Sequence, residues 1–208
     1  MTPLELDAAL EWLEAGKVVA VATESFFGLL ADITSPLAVA ALFALKPRGA
    51  DKGVPTLLPS QAAWPALVAG EIPGLARAFA AALWPGALSI ALPAAASVAS
   101  RVALDGTLAV RLPGMSPAAE LATRFGRPLS ATSANLPGAP PATRSEAVEL
   151  SFASAVAQGA LLVLPGESAG GAPSTVVAVD GENYRVARVG AVPISALGAI
   201  ANARARGA

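Results

Sequence analysis

The sequence predicts a single α/β domain built on a mixed β-sheet, and three observations support this fold class. Short apolar runs alternate with longer segments that carry helix start and stop signals, which is typical of α/β proteins. Asp180-Gly181 separates the runs "STVVAV" and "NYRVARV", and this is a strong signal for an antiparallel hairpin. No repeat or linker interrupts residues 1–208, so we expect one domain with its core over about residues 5–192.

The helices are predicted from the residues at their ends. Thr2-Pro3 begins the first helix and Gly16 ends it, while Ser35-Pro36 begins the second. Ser60 caps a third segment, which Pro65 disturbs. In chain order, helices are expected over residues 4–15, 36–45, 60–69, 73–83, 117–126, 146–157 and about 194–205.

The strands are predicted from short runs of valine, leucine, isoleucine and alanine between the helices. The run "KVVAVA" has no polar alternation and is typical of a fully buried strand. In chain order, strands are expected over residues 17–22, 54–58, 87–92, 107–112, 128–131, 160–164, 174–179 and 183–189. Because strand–helix–strand units and a hairpin occur together, the sheet should contain both parallel and antiparallel pairs.

The composition excludes several kinds of chemistry. The chain has no cysteine and no histidine, which removes thiolate nucleophiles, serine–histidine triads and histidine-ligated metals. A net charge of −1 argues against a general nucleic-acid coat, while a local basic groove stays open. A hard cation such as Mg²⁺ is compatible, because it takes oxygen ligands and can be held largely by a substrate's phosphates.

We expect a cytoplasmic protein without a membrane span. Residues 1–16 are acidic and amphipathic, unlike the basic start of a signal peptide. Residues 78–100 carry no charge and are long enough for a membrane helix, but Pro85, Gly86 and Pro93 interrupt them. A helix end, a turn and a buried strand explain this segment better.

Two polar runs in the first half of the chain are candidates for a ligand site. In "ATESFFGLLAD", Thr23 and Ser25 follow a predicted strand, at the position where α/β sheets bind ligands. In Lys46-Pro47-Arg48, an ammonium and a guanidinium together suit a polyphosphate. A simple turn also explains the first run, and a solvated connection also explains the second.

A third polar run, "PLSATSANLPG", places four small polar side chains at the end of a short strand. They are Ser130, Thr132, Ser133 and Asn135. Such groups can bind a ligand through neutral hydrogen bonds, and they can equally stabilise a turn through their own backbone.

Arg111 ends the run "TLAVR", where strand alternation puts it on the same face as Ala109. An arginine at such a strand end can point into a cleft and bind a carboxylate with two parallel hydrogen bonds. The alternative is an ordinary edge arginine paired with a nearby acid such as Asp105.

These runs, in this order, resemble the YrdC-type family of threonylcarbamoyl-AMP synthases. That family shows P-T-[ED]-T-x-Y-G-L-G, K-x-R, F-W-P-G-x-L-T, T-[VL]-A-V-R-x-P, A-T-S-A-N-x-S-G, S-T-[IV]-V and [IL]-x-R-x-G in turn. The matching segments here are "ATESFFGLL", "KPR", "LWPGALS", "TLAVRLP", "ATSANLPG", "STVV" and "VARVG". Seven segments in register, over about residues 16–192, carry the resemblance.

The resemblance implies a YrdC-like twisted mixed sheet with flanking helices and a deep, positively lined cleft. It implies a nucleotidyltransferase, L-threonylcarbamoyladenylate synthase, which joins L-threonine, bicarbonate and ATP with Mg²⁺ for the threonylcarbamoyladenosine modification of tRNA. The implied partners also include tRNA and a threonylcarbamoyl transferase complex. Because some members are described as binding double-stranded RNA, a non-enzymatic binder of double-stranded RNA or nucleotide is the alternative.

Carried over by position, the resemblance also implies residue roles. The expected catalytic and ATP-binding groups are Lys46, Arg48, Ser133 and Asn135, with Arg188 closing the site around the nucleotide. The expected threonine-binding groups are Thr23, Arg111, Thr132 and Ser174. No side chain is assigned as a metal ligand, since Mg²⁺ is expected to arrive with ATP.

The threonine-side run departs most from the family pattern. Ser25 replaces the second threonine, and Phe27 replaces the tyrosine and so lacks its hydroxyl. Pro137 replaces the serine of A-N-x-S-G, while the charged positions and S-x-N are retained. ATP binding is therefore expected more firmly than threonine specificity, and the identity of the amino acid is left open.

Overall fold

The computed structural model describes residues 1–46, 53–98 and 101–207. Its strands are β1 Val18–Ala22, β2 Phe27–Leu30, β3 Thr56–Leu57, β4 Leu88–Pro93, β5 Thr107–Arg111, β6 Leu129–Ser130, β7 Thr132–Ser133, β8 Leu161–Val163, β9 Thr175–Asp180 and β10 Asn183–Arg188. Its α-helices are α1 Pro3–Glu14, α2 Pro36–Leu45, α3 Gly74–Leu83, α4 Pro117–Phe125, α5 Ser145–Ser151, α6 Ala153–Ala157 and α7 Ile194–Gly207.

The strands form two twisted mixed sheets, where the sequence predicts one. The first has the order β7-β2-β1-β8, and the second has the order β10-β9-β4-β5-β3-β6. Both sheets are mixed. In the first, β1 has the parallel neighbour β8 and the antiparallel neighbour β2. In the second, parallel and antiparallel pairs alternate from β10 to β6. The predicted hairpin is confirmed, because β9 and β10 pair antiparallel with Asn183 opposite Asp180.

β1 is buried on both faces, which explains its unbroken apolar sequence. Val18 and Ala20 face a large core that also contains residues of α2 and α3. Val19 and Val21 face a smaller core formed with α1 and α4. Helices therefore cover both sides of the first sheet, and a strand in that position has no polar face to show.

The helix ends follow the predicted signals. Thr2 accepts a hydrogen bond from the backbone N–H of Glu5, whose side chain in turn accepts from the N–H of Thr2. The hydroxyls of Ser35 and Ser116 accept from the backbone N–H groups of Ala38 and Ala119 at the starts of α2 and α4, and each serine is followed by a proline at the first helical position.

Two predicted helices differ in the structure, and two strands lie where none was predicted. Residues 60–69 form two short 3₁₀ turns, since Pro65 has no N–H to continue an α-helix. The helix predicted over 146–157 is divided at Phe152, which leaves helical geometry while its side chain is buried. β2 and β7 lie in segments where the sequence predicts a turn and polar ligand groups.

Within the described ranges, every helix is too short or too polar to cross a lipid bilayer.

Candidate functional site

A cavity of about 340 Å³ lies where residues of the two sheets meet, and most of the predicted site residues line it. Its lining is Thr23, Ser25, Phe26, Phe27, Gly28, Pro55, Arg111, Ala131, Thr132, Ser133, Pro141, Pro173, Ser174 and Arg188. Among these residues there are two arginines and no acid. The cavity therefore attracts anions, and its hydroxyl groups can supply neutral hydrogen bonds.

Thr23 follows β1 and closes a tight turn at one wall of the cavity. Its hydroxyl donates to the backbone oxygen of Phe26 at 2.7 Å and accepts from the N–H groups of Ser25 and Phe26 at 3.2 and 3.3 Å. The turn predicted as an alternative for this run is thus present, and it lies at the cavity. The Thr23 hydroxyl is largely engaged in these turn hydrogen bonds. Thr23 therefore shapes the cavity wall and also lines the space where a ligand would bind.

Lys46 ends α2 and reaches the loop that follows β7. Its Nζ donates to the backbone oxygen of Ser133 at 2.6 Å, to the hydroxyl of Ser133 at 3.2 Å and to Oδ1 of Asn135 at 3.0 Å. Lys46 is only 8% exposed, so its charge is held by oxygen atoms rather than by water. The expectation of a solvated connection is therefore wrong for Lys46.

Asn135 fixes this loop from the other side. Its Oδ1 accepts from the hydroxyl of Ser133 at 2.5 Å, and its Nδ2 donates to the backbone oxygens of Leu136 and Ala139. Lys46, Ser133 and Asn135 therefore form one connected polar cluster beside the cavity.

Arg111 lies at the end of β5 and is 7% exposed. Its Nη1 donates to Oε1 of Glu24 at 2.5 Å, and the same oxygen accepts from the N–H of Gly114 at 3.2 Å. β5 lies between β4 and β3, so Arg111 is not on an edge strand. The pairing with an acid that the alternative expects is present, with Glu24 rather than Asp105.

Arg188 and Ser174 form the opposite wall. Arg188 donates from Nε and Nη2 to the backbone oxygen of Ser174 at 3.1 and 2.8 Å, and from Nη2 to its hydroxyl at 2.9 Å. The hydroxyls of Ser174 and Ser89 are hydrogen-bonded at 3.0 Å. Arg111 and Arg188 line the same cavity. Desolvation lowers the pKa of the Arg188 guanidinium, and the positive charge of Arg111 lowers it further.

The structure thus brings together eight of the predicted site residues. Six line the cavity, namely Thr23, Arg111, Thr132, Ser133, Ser174 and Arg188, and two adjoin Ser133, namely Lys46 and Asn135. Arg48 lies outside the described residues. The sequence reasoning assigned no role to Glu24, although an acid directly after Thr23 at a strand end was a signal that could have indicated one.

Fold and site together define an α/β protein with a cavity between two mixed sheets that is lined by two arginines and several hydroxyl groups. A family model for Sua5, YciO and YrdC proteins, described as telomere recombination, matches residues 11–190. The chain therefore belongs to the Sua5/YciO/YrdC family. A search of curated proteins finds no significant match.

Several solved structures share the fold. P. abyssi Sua5 complexed with L-threonine matches with a TM-score of 0.86 at 29% identity, over 96% of this chain and 58% of that chain. E. coli YciO matches with a TM-score of 0.75 at 20% identity, over 91% of this chain and 90% of that chain. Full-length HypF in its phosphate- and nucleotide-bound form matches with a TM-score of 0.73 at 19% identity, over 89% of this chain and 29% of that chain.

The present chain spans little more than half of the Sua5 chains that it matches, 56% and 58%. At 20% and 19% identity, YciO and HypF indicate a common fold and nothing about a common ligand.

Proposed function

We propose that this chain is an L-threonylcarbamoyladenylate synthase, which forms threonylcarbamoyl-AMP from L-threonine, bicarbonate and ATP for tRNA modification. The observation that carries the proposal is the cavity that collects Arg111, Arg188 and five hydroxyl side chains without a lining acid. Its place in the family is the second support, because a related Sua5 with 29% identity was crystallised with L-threonine.

The overall reaction forms a C–N bond and an O–P bond, and it breaks one P–O bond of ATP. The threonine amine and bicarbonate form a carbamate with loss of water, and a carbamate oxygen attacks the α-phosphorus of ATP. The bond between the α-phosphorus and the bridging oxygen breaks, and pyrophosphate leaves. Such a reaction depends on positioning and on stabilising negative charge, so it does not require the histidine that the chain lacks.

The polar cluster suits the nucleotide end of the site. In this proposal, Lys46 and Arg48 contact the phosphates of MgATP, and Ser133 and Asn135 contact the nucleotide and the carbamate. The oxygens of Ser133 and Asn135 hold the Lys46 ammonium in place. Preorganised charge of this kind costs little reorganisation when phosphate binds.

The arginine pair suits the amino-acid end. Arg111 would bind the threonine carboxylate through its free edge, while Arg188 and Ser174 close the site. Thr23 and Thr132 line the same cavity and would contact the amino acid. Mg²⁺ would arrive on ATP, since the lining residues offer hydroxyl and backbone oxygens but no carboxylate.

The decisive experiment incubates the protein with ATP, Mg²⁺, bicarbonate and a panel of amino acids. Pyrophosphate release and an adenylate product that depend on L-threonine and bicarbonate support the proposal. If no amino acid supports pyrophosphate release, the proposed activity is wrong.

A further inference from the structure

Glu24 is the one acidic side chain of the described residues that is hydrogen-bonded to Arg111, and no step of the proposed reaction uses it. It sits between two cavity-lining residues, Thr23 and Ser25, but is itself absent from the lining. Its carboxylate is hydrogen-bonded to Arg111, which does line the cavity. A group in that position acts on a ligand through the arginine.

We propose that Glu24 is a positioning and specificity residue that fixes Arg111 and limits the positive charge at this end of the cavity. The amino-acid end would then favour a singly charged carboxylate over a polyphosphate. This inference rests on the proposed function, since the carboxylate in question is that of the amino-acid substrate.

The first support is geometric. One oxygen of Glu24 accepts from both Nη1 of Arg111 and the N–H of Gly114, which ties the guanidinium to the backbone after β5. On the other side the chain is held by Ser25, whose backbone oxygen accepts from Gly170 at 2.7 Å. Among the described residues only Nη1 of Arg111 makes a hydrogen bond, so the rest of the fork is available for two parallel bonds to a carboxylate.

The second support is electrostatic. Arg188 and Arg111 line the same cavity, and the charge of Arg111 contributes to lowering the pKa of Arg188. Two unbalanced cations would attract a polyphosphate to this end as strongly as a carboxylate. Adding the charge of Glu24 to those of Arg111 and Arg188 leaves a net charge of +1, which matches a single carboxylate. The polyphosphate would then bind at the Lys46 end of the site.

The third support is that the pair is sheltered. Arg111 is 8% exposed at its side chain and Glu24 is 21% exposed, so water screens their interaction less than that of a surface pair. The second carboxylate oxygen of Glu24 is buried and has no hydrogen-bond partner among the described residues. A buried carboxylate kept with one unsatisfied oxygen is costly, which argues for a role beyond stability.

The test compares L-threonine and pyrophosphate binding to the wild-type protein and Glu24→Gln by calorimetry. Glutamine keeps the shape and an acceptor oxygen but removes the charge. We expect L-threonine to bind about tenfold more weakly, because a charge-assisted hydrogen bond is lost. We expect pyrophosphate to bind about threefold more tightly, because the net charge at this end rises to +2.

A double-mutant cycle with Arg111→Lys separates positioning from a general effect. If Glu24 acts through Arg111, Glu24→Gln should weaken threonine binding by less than about twofold in the Arg111→Lys background. Glu182→Gln is the matched control, because Glu182 pairs with Arg204 on the surface and away from the cavity. The control should change neither affinity.

Two results would overturn the inference. One is an equal loss of threonine affinity in both backgrounds, and the other is a pyrophosphate affinity that is unchanged or lower in Glu24→Gln. The pyrophosphate titration decides even if the wild-type protein binds no L-threonine, a result that would instead count against the proposed function.

If Glu24→Gln does not fold, Glu24→Asp serves in the same two titrations, because it keeps the charge and shortens the side chain. Its expected result is weaker threonine binding with unchanged pyrophosphate binding, and tighter pyrophosphate binding would contradict the charge argument.

Discussion

The Nζ of Lys46 lies 2.6 Å from the backbone oxygen of Ser133, although 87 positions separate the two residues in the sequence. This bond joins the end of α2 to the end of β7 and places the ammonium beside the cavity. Lys46 is therefore both a structural tie and the candidate phosphate ligand.

Lys46→Ala should weaken ATP binding by about 1.5–3 kcal/mol, the usual cost of losing hydrogen bonds to a charged group. The variant also leaves the oxygens of Ser133 and Asn135 without this donor, so a lower melting temperature is expected as well. Calorimetry with ATP and a thermal melt measure the two effects. Lys17→Ala is the control, since Lys17 stacks on Trp12 away from the cavity. Unchanged ATP affinity in a folded Lys46→Ala protein would remove Lys46 from the phosphate site.

The sequence predicted the strands best where burial leaves a simple pattern. β1 is apolar throughout because both of its faces are covered, and the β9–β10 hairpin is specified by Asp180-Gly181. β2 was not predicted, because its four residues directly follow a polar turn. It pairs with β1 and β7, and these partners become evident only in the folded sheet. The division into two sheets is likewise a property of tertiary packing.

The candidate site could be predicted only where a local sequence pattern marks a residue. Arg111 and Ser133 stand at strand ends, where local pattern already suggests a ligand. The partner of Arg111 could not be found, because Glu24 lies 87 positions away and reaches it only in the folded protein. The burial of Lys46 was missed because Gly and Pro around a basic run usually indicate a solvated loop.

Gly190→Ala should disturb the Arg188 wall of the cavity. A Cβ at Gly190 would lie 2.2 Å from the backbone oxygen of Pro173 and 2.6 Å from the carbonyl carbon of Ser174, so this backbone must move. Since Ser174 accepts the hydrogen bonds of Arg188, we expect weaker binding of both ATP and the amino acid.

Gly126→Ala is the matched control for Gly190→Ala. Gly126 has a φ of 74°, and a Cβ there would meet nothing within 4 Å. It should cost about 1–2 kcal/mol of stability through backbone strain while leaving ligand binding unchanged. Equal ligand affinities in the two glycine variants would show that the Ser174 segment does not shape the site.

Arg188→Lys should make activity sensitive to high pH. Burial and the charge of Arg111 both lower the pKa of the cation at this position. Arginine stays charged despite this, whereas a lysine, with an ordinary pKa of about 10.4, would lose its proton at a lower pH. The rate of pyrophosphate release should therefore fall as the pH rises, and it should fall earlier in the variant than in the wild type. Superimposable pH profiles would contradict a charged role for Arg188.

Binding of duplex RNA should be weak and should fall steeply with salt. The chain has a net charge of −1, and each phosphate contact on RNA needs a cation. Fluorescence anisotropy at about 50 and 200 mM salt would measure the slope, with dissociation constants no tighter than about 10⁻⁶ M at the higher salt. Tight binding that is insensitive to salt would favour the RNA-binding alternative over the synthase.

Arg111→Lys should raise the amino-acid requirement far more than the ATP requirement. Lysine keeps the charge beside Glu24 but loses the planar fork, and a carboxylate then receives one hydrogen bond in place of two parallel ones. We expect KM for L-threonine to rise by at least about tenfold, which is the loss of one charged hydrogen bond, while KM for ATP changes by less than about threefold. The same kinetics with L-threonine, L-serine and L-alanine test selectivity, since Phe27 lines the cavity without the hydroxyl of a tyrosine and Ser25 replaces a threonine. In the wild-type protein we expect the preference for threonine over serine to be modest, because a hydrophobic contact with one methyl group discriminates by only about 1–3 kcal/mol. If Arg111→Lys alters the ATP requirement and leaves the amino-acid requirement untouched, Arg111 belongs to the nucleotide end and its assignment to the threonine carboxylate is wrong.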